Sequence, residues 1–197
     1  MNILKTSSIL AVLLITLSPI RSFACACCAE KGTYSISVQK PDDYIIGELQ
    51  KLKIGTTNLY SDAGYPETIK GITPLGETFT ASCLLKNKMW KFDFADDKKK
   101  SGMLNLPLSA NYVDYRVDLQ DSEEAPDATL YREFRFKGKL GNGTGIFQKG
   151  ITPLTDYFLV LQGRGNNCTS AETFTHWRLE ITGKKASYSF FGKLKAE

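Results

Sequence analysis

The residues best equipped for chemistry are five cysteines. Three crowd into Cys25-Ala26-Cys27-Cys28, and the others stand at Cys83 and Cys168. Three thiols within four residues form a soft-ligand set that suits Cu or Zn. Adjacent side chains in extended backbone point apart, so Cys25, Cys27 and Cys28 need a further ligand from Cys83, Cys168 or His176 for a mononuclear site. The competing chemistry is disulfide formation, the default for cysteines in an exported chain. Cys27, Cys28, Cys83 and Cys168 are the candidates, with the N-terminal cysteines stapled to the body of the protein. Cys83 falls in phase with Phe79 and Ala81 on an apolar strand face, where a buried, inert thiol is the alternative. Cys168 sits in the polar stretch Gly165-Asn166-Asn167-Cys168-Thr169, which reads as an accessible loop.

His176 is the single histidine. A Ser-His-Asp or Cys-His arrangement could use it, but no Gly-x-Ser-x-Gly elbow accompanies it. With Trp177 facing a core, His176 points outward. Paired carboxylates occur at Asp42-Asp43, Asp96-Asp97 and Glu123-Glu124, all in linkers or turns where solvated charge is the ordinary reading. The glycines of Gly138 to Gly145 lack Gly-x-Gly-x-x-Gly and Walker spacing, so they read as a hairpin loop and not a phosphate cradle. Asn142-Gly143-Thr144 and Asn167-Cys168-Thr169 fit the glycosylation acceptor pattern. Tyr44, Tyr60, Tyr65 and Tyr157 lie near turns or strand ends, where an exposed ring stacks on a sugar or another flat ligand. No catalytic constellation emerges, and the expectation is a protein without enzymatic activity.

Stepping along the chain, residues 1–24 read as a signal peptide. Lys5 supplies a basic start, Ile9 to Leu17 an apolar run, and Ser22-Phe23-Ala24 a cleavage region. The run is far short of the roughly 20 residues that cross a bilayer. Cleavage after Ala24 leaves Cys25 at the mature N-terminus, the position that bacterial lipoproteins acylate. Ser22 and Phe23 depart from the lipobox pattern, so a lipid tether stays an alternative to free export into a periplasm or medium. Without Lys5 and Arg21 the chain holds 23 basic against 21 acidic residues, net +2, too balanced for a nucleic-acid partner.

The mature chain divides into a cysteine-rich start (25–32) and one domain (33–197). Period-two alternation of apolar and polar residues marks strands at Tyr34–Gln39, Trp90–Phe94, Tyr115–Leu119, Glu133–Lys137, Trp177–Ile181 and Ser187–Phe190. In each, one face is expected to pack inward. Turn formers separate them: Gly55, Asp62-Ala63-Gly64, Ser101-Gly102, Gly141-Asn142-Gly143, Gly163 to Asn166 and Gly183. No amphipathic helix of three turns is evident.

The hexapeptide Lys70-Gly71-Ile72-Thr73-Pro74-Leu75 recurs identically from Lys149 to Leu154, 79 positions later. Each copy precedes a strand, a cysteine and a Trp-basic-apolar-acidic-apolar run. This order predicts an internal duplication, with repeats over about 33–110 and 111–197. The expected fold is all-β: about ten antiparallel strands from two five-stranded units, closed as a barrel of lipocalin or avidin architecture, or stacked as a two-layer sandwich. The hexapeptides read as structural turns. The expected function is binding of a small ligand, glycan or protein partner. Cu or Zn handling through Cys25, Cys27 and Cys28 is the alternative.

Overall fold

The computed structural model describes residues 27–60, 69–73, 78–120 and 128–196. The proposed signal peptide, Cys25, Tyr65 and Glu123-Glu124 lie outside these residues. In chain order the elements are β1 (Tyr34–Gln39), α1 (Asp43–Gln50), β2 (Leu52–Tyr60), β3 (Thr78–Lys86), β4 (Met89–Asp96), β5 (Ser101–Pro107), β6 (Tyr112–Asp118), β7 (Leu130–Lys139), β8 (Asn142–Gly145) and β9 (Asp156–Gly165). A 3-10 turn (Ala171–Thr173), β10 (Phe174–Thr182) and β11 (Ser187–Ala196) complete the fold. Eleven strands form one sheet in the order β1-β6-β7-β9-β10-β11-β2-β3-β4-β5-β8, and every pair is antiparallel.

Alternation puts Trp90, Phe92 and Phe94 of β4 on the inner face, with Lys91 and Met89 outside. On β10 it does the same for Trp177, Leu179 and Ile181. The sheet curls, because these inner faces meet across strands that are not neighbours. The Phe92 and Trp177 rings lie 5.6 Å apart between β4 and β10, and Phe94 stacks on Phe190 of β11 at 4.3 Å. Both tryptophans are fully buried, at 1% and 0% exposure. Burial of such rings is the main favourable contribution to the fold. Among the described residues, the void between Leu52, Ile54, Cys83, Trp90, Phe92 and Trp177 amounts to about 10 Å³.

Several readings of the sequence change here. Gly55, Gly102, Gly163 and Gly165 lie inside strands and not in turns. The reason at Gly163 is close approach of backbone, since a Cβ there would stand 1.7 Å from the Thr173 carbonyl oxygen. A two-turn helix, α1, occupies the stretch read as an acidic linker. Asp42 caps it, its Oδ1 accepting from the Ile45 N–H at 2.8 Å, and Ile45 and Leu49 enter the core.

Register also moves one cysteine. Leu85 faces Trp90 and Leu161 faces Trp177, so the position matching Cys83 in the second half is Leu159. Cys168 lies beyond β9 and is not its counterpart. The two hexapeptides meet: a Cβ on Gly150 would stand 2.6 Å from the Gly71 Cα.

Candidate functional site: an edge strand beside a clamped loop

β1 stands at one end of the sheet, paired on one side with β6 from Tyr34↔Val117 to Gln39↔Tyr112. Tyr34, Ile36 and Val38 share one face and are exposed at 62%, 53% and 69%. The expectation that this alternation packs an apolar face inward is therefore wrong for β1. Its strand lies beyond the curled body, next to a strand whose inward face is polar through Asp114 and Arg116. The apolar face of β1 continues over β6 and β7, with Tyr34 against Tyr115 at 5.9 Å and Tyr115 against Tyr131 at 6.3 Å. Arg135 lies over the Tyr115 ring at 4.7 Å and pairs with Glu133, which also accepts from Tyr131 and Gln162. Burial alone would raise the Glu133 pKa, but these donors bring it below the ordinary carboxylate value. Burial and the Glu133 carboxylate push the Tyr131 phenol upward.

The opposite face of β6 and β7 holds a loop in place. Arg132 of β7 is 1% exposed and donates to the carbonyls of Cys168 and Asn166, both at 2.9 Å. Arg116 of β6 donates to the Asn167 carbonyl and side chain at 2.5 and 2.6 Å, and its guanidinium grips the buried Asp114. Burial, then the neighbouring Arg116, lowers the Arg132 pKa to about 10. From α1, Tyr44 donates its hydroxyl to the Thr169 carbonyl at 2.5 Å, and Glu48 accepts from the Ala171 N–H at 2.6 Å. Residues 166–171 are thus fixed from three elements. None of Asp114, Arg116 and Arg132 was singled out from sequence; alternation turned Tyr115 and Val117 inward and Arg116 to water, and β6 does the reverse, with Arg116 and the buried Asp114 on the inner face.

Onto this loop the N-terminal segment is stapled. Cys27 and Cys168 form a disulfide across 141 positions of sequence, their Cα atoms 5.0 Å apart. The Asn167 N–H donates to the Cys27 carbonyl at 2.8 Å, and the Ala128 N–H to the Ala29 carbonyl at 3.0 Å. Cys28 is also disulfide-bonded. In this oxidation state neither Cys27 nor Cys28 offers a thiolate, and no group of three or more His, Cys, Asp or Glu among the described residues is placed to hold a metal. Cys83 is a free thiol within 3.5 Å of the Leu52 carbonyl, its pKa pushed up to about 11 by burial.

The remaining candidates are scattered. His176 lies on the outer face between Gln162 and Lys193, stacked on Phe191 with centroids 5.6 Å apart, its Nδ1 3.0 Å from the Thr175 hydroxyl. Asp96 is buried and shapes the β4–β5 turn, accepting from the Lys100 N–H at 2.7 Å. Tyr60 pairs in register with Ser189. Tyr157 is buried, not an exposed stacking ring, and its hydroxyl reaches Ser109 and the Pro107 carbonyl. Asn142 is held by Asn105, and Asn167 by Arg116. A shallow surface cleft of about 660 Å³ runs along Lys137, Lys139, Asp156, Phe158 and Thr182. No helix among the described residues is long and apolar enough to cross a membrane.

Compared with protein-family models, curated proteins and solved structures, the chain matches none.

Proposed function

We propose that this chain is an exported, non-enzymatic β protein that binds an extended segment of a partner protein along the free edge of β1. The observation that carries the reading is β1 itself. It is six residues long, uncharged, exposed on alternate apolar positions and terminal in the sheet. Edge strands are normally blunted by charge, proline, bulges or shortness. The other edge, β8, obeys that rule with four residues, two of them glycine. β1 does not.

The occupant follows from the chemistry of the edge. Outward-facing peptide N–H and C=O groups are satisfied in full by another extended backbone, with alternate side chains read against Tyr34, Ile36 and Val38. A sugar would call for carboxylate or amide side chains beside its stacking ring, and the polar side chains of β1, Ser35, Ser37 and Gln39, lie on the face opposite Tyr34. A small ligand would call for an interior space, which Trp90, Phe92 and Trp177 fill. The Cys27–Cys168 bridge suits an oxidising compartment and supports export.

We also infer that the sheet closes into a barrel and arose by duplication. β8 follows β7 after two intervening residues and pairs with β5, while β11 pairs with β2. Matching β2-β3-β4-β5 to β7-β9-β10-β11 makes these two junctions the same junction, and it brings the paired hexapeptides together at Gly71 and Gly150. Two units sharing one packed interior leave the outer edge as the place for a partner.

The test is selection of random 12-residue peptides displayed on phage against the full chain and against Ile36→Lys. The expected result is enrichment of peptides with alternating β-branched or aromatic residues, weakened at least about tenfold by the lysine. Peptides that bind both proteins equally, or a chain that pairs with its own copy through β1 instead, would contradict the reading.

A further inference from the structure

We propose that the Cys27–Cys168 disulfide is a redox latch that decides whether β1 stays on the sheet. The inference deepens the proposed function and rests on it, because β1 is the strand whose edge is assigned to the partner. None of the six residues of β1 is buried, and none belongs to the core cluster. The strand is therefore held by its backbone ladder to β6, by the contact of Tyr34 with Tyr115 and the Tyr112 hydroxyl donated to Gln39 at 3.3 Å, and by its two ends. A short edge strand without side-chain burial is stable only as long as those ends are fixed.

The ends differ. The C-terminal end runs into α1, which is anchored by Ile45 and Leu49. The N-terminal end depends on residues 27–33. There the Gly32 N–H donates to Asp118 Oδ2 at 2.6 Å and the Asp118 N–H donates to the Thr33 carbonyl at 2.8 Å. The covalent tie is Cys27–Cys168. Cys83 is free and Cys168 is engaged by Cys27, so the bond at Cys28 reaches neither. Cys27–Cys168 is then the one bridge from this segment to the body among the described residues.

Cys168 behaves as a fixed post, because Arg132 and Arg116 hold its own carbonyl and those of the two residues before it, Asn166 and Asn167. Cys27 is the movable partner. Both residues are partly exposed, within reach of an external dithiol. One thiolate of that dithiol attacks a sulfur of the bridge and displaces the other as thiolate, forming a mixed disulfide. The second thiol of the reagent then resolves it. The products are Cys27 and Cys168 as thiols, having gained two electrons and two protons, and the reagent as its disulfide. With the latch open, β1 leaves β6; the partner edge is lost and Val113, Tyr115 and Val117 of β6 become the new border of the sheet.

The experiment is hydrogen exchange read by mass spectrometry on the full chain, oxidised and after dithiothreitol reduction with alkylation, beside the Cys27→Ser/Cys168→Ser variant. The expected result is exchange of residues 34–39 at least about tenfold faster in the reduced and variant proteins, with β9 and β10 unchanged. Unchanged exchange in β1 would overturn the latch. So would equal loosening of β9 and β10, which would make the bridge a brace for the whole body. If the variant does not fold, reduction of the folded protein opens the same bridge, together with the bond at Cys28. The phage-selected peptide is added last. Faster β1 exchange with no peptide bound by the oxidised form would sink the partner edge while leaving the latch, and unchanged exchange with a bound peptide would do the reverse.

Discussion

Replacing Arg132 with methionine would keep the aliphatic stem and leave two loop carbonyls, those of Asn166 and Cys168, without their donors. The expected cost is about 2–4 kcal/mol, because buried acceptors lose partners they cannot replace. Urea unfolding followed by the fluorescence of Trp90 and Trp177 would measure it, and a loss under 1 kcal/mol would rule out the clamp (about fivefold in the folding constant). Cys83 makes a prediction in pH. Folding keeps its proton up to about 11, whereas the unfolded thiol releases it near the ordinary value of 9.0. The unfolded state thus binds fewer protons across that window, and stability falls as pH rises through it. Tyr112, pushed up to about 12 by burial, extends the fall to higher pH. Cys83→Ala should flatten the first part of the curve, and an unchanged slope between 9 and 11 would contradict the assignment. At this scale the cysteines were legible because their chemistry is carried by residue type. Arg116 and Arg132 were not, since a charge in an alternating strand reads as solvated until the loop it faces is known.

Strand elements were the most legible, and β1 marks the limit. Tyr34 to Gln39 announces a strand by period two, but the pattern cannot say whether an apolar face meets a core or water. That depends on β6, which starts 73 positions after β1 ends (112 minus 39), and on the polar residues it turns inward. α1 was missed because eight residues are too few for a clear helical period, although Pro41-Asp42 before Ile45 was a usable start signal. The repeated hexapeptides make a sharper test. Gly71 has φ +88°, and a Cβ there would stand 2.7 Å from the Lys185 carbonyl oxygen and 2.9 Å from the Gly150 Cα. Gly71→Ala and Gly150→Ala should each cost about 1–3 kcal/mol in thermal or urea unfolding, through overpacking against backbone. Because both act on one contact, the double variant should lose less than the sum of the two. Simple additivity would mean that the two turns do not share a junction.

The whole molecule is a curled sheet around two buried tryptophans, with the N-terminal segment, α1 and the 166–171 loop tied together at one end. Its all-β character and the inward faces of β4, β7, β10 and β11 followed from alternation, but sequence could not choose its curvature, which comes from inner rings meeting across non-adjacent strands. Nor could it place the proposed binding edge, which rests on the strand order that leaves β1 last. The account stands on that edge, so the most direct test is amide protection of residues 34–39 when the oxidised chain is saturated with a phage-selected peptide. Slowed exchange along β1, with Tyr34, Ile36 and Val38 lost as exposed positions and the inner strands unchanged, is the predicted result. Protection that appears along Lys137 to Lys139 and Asp156 to Phe158, or nowhere in β1, would contradict it.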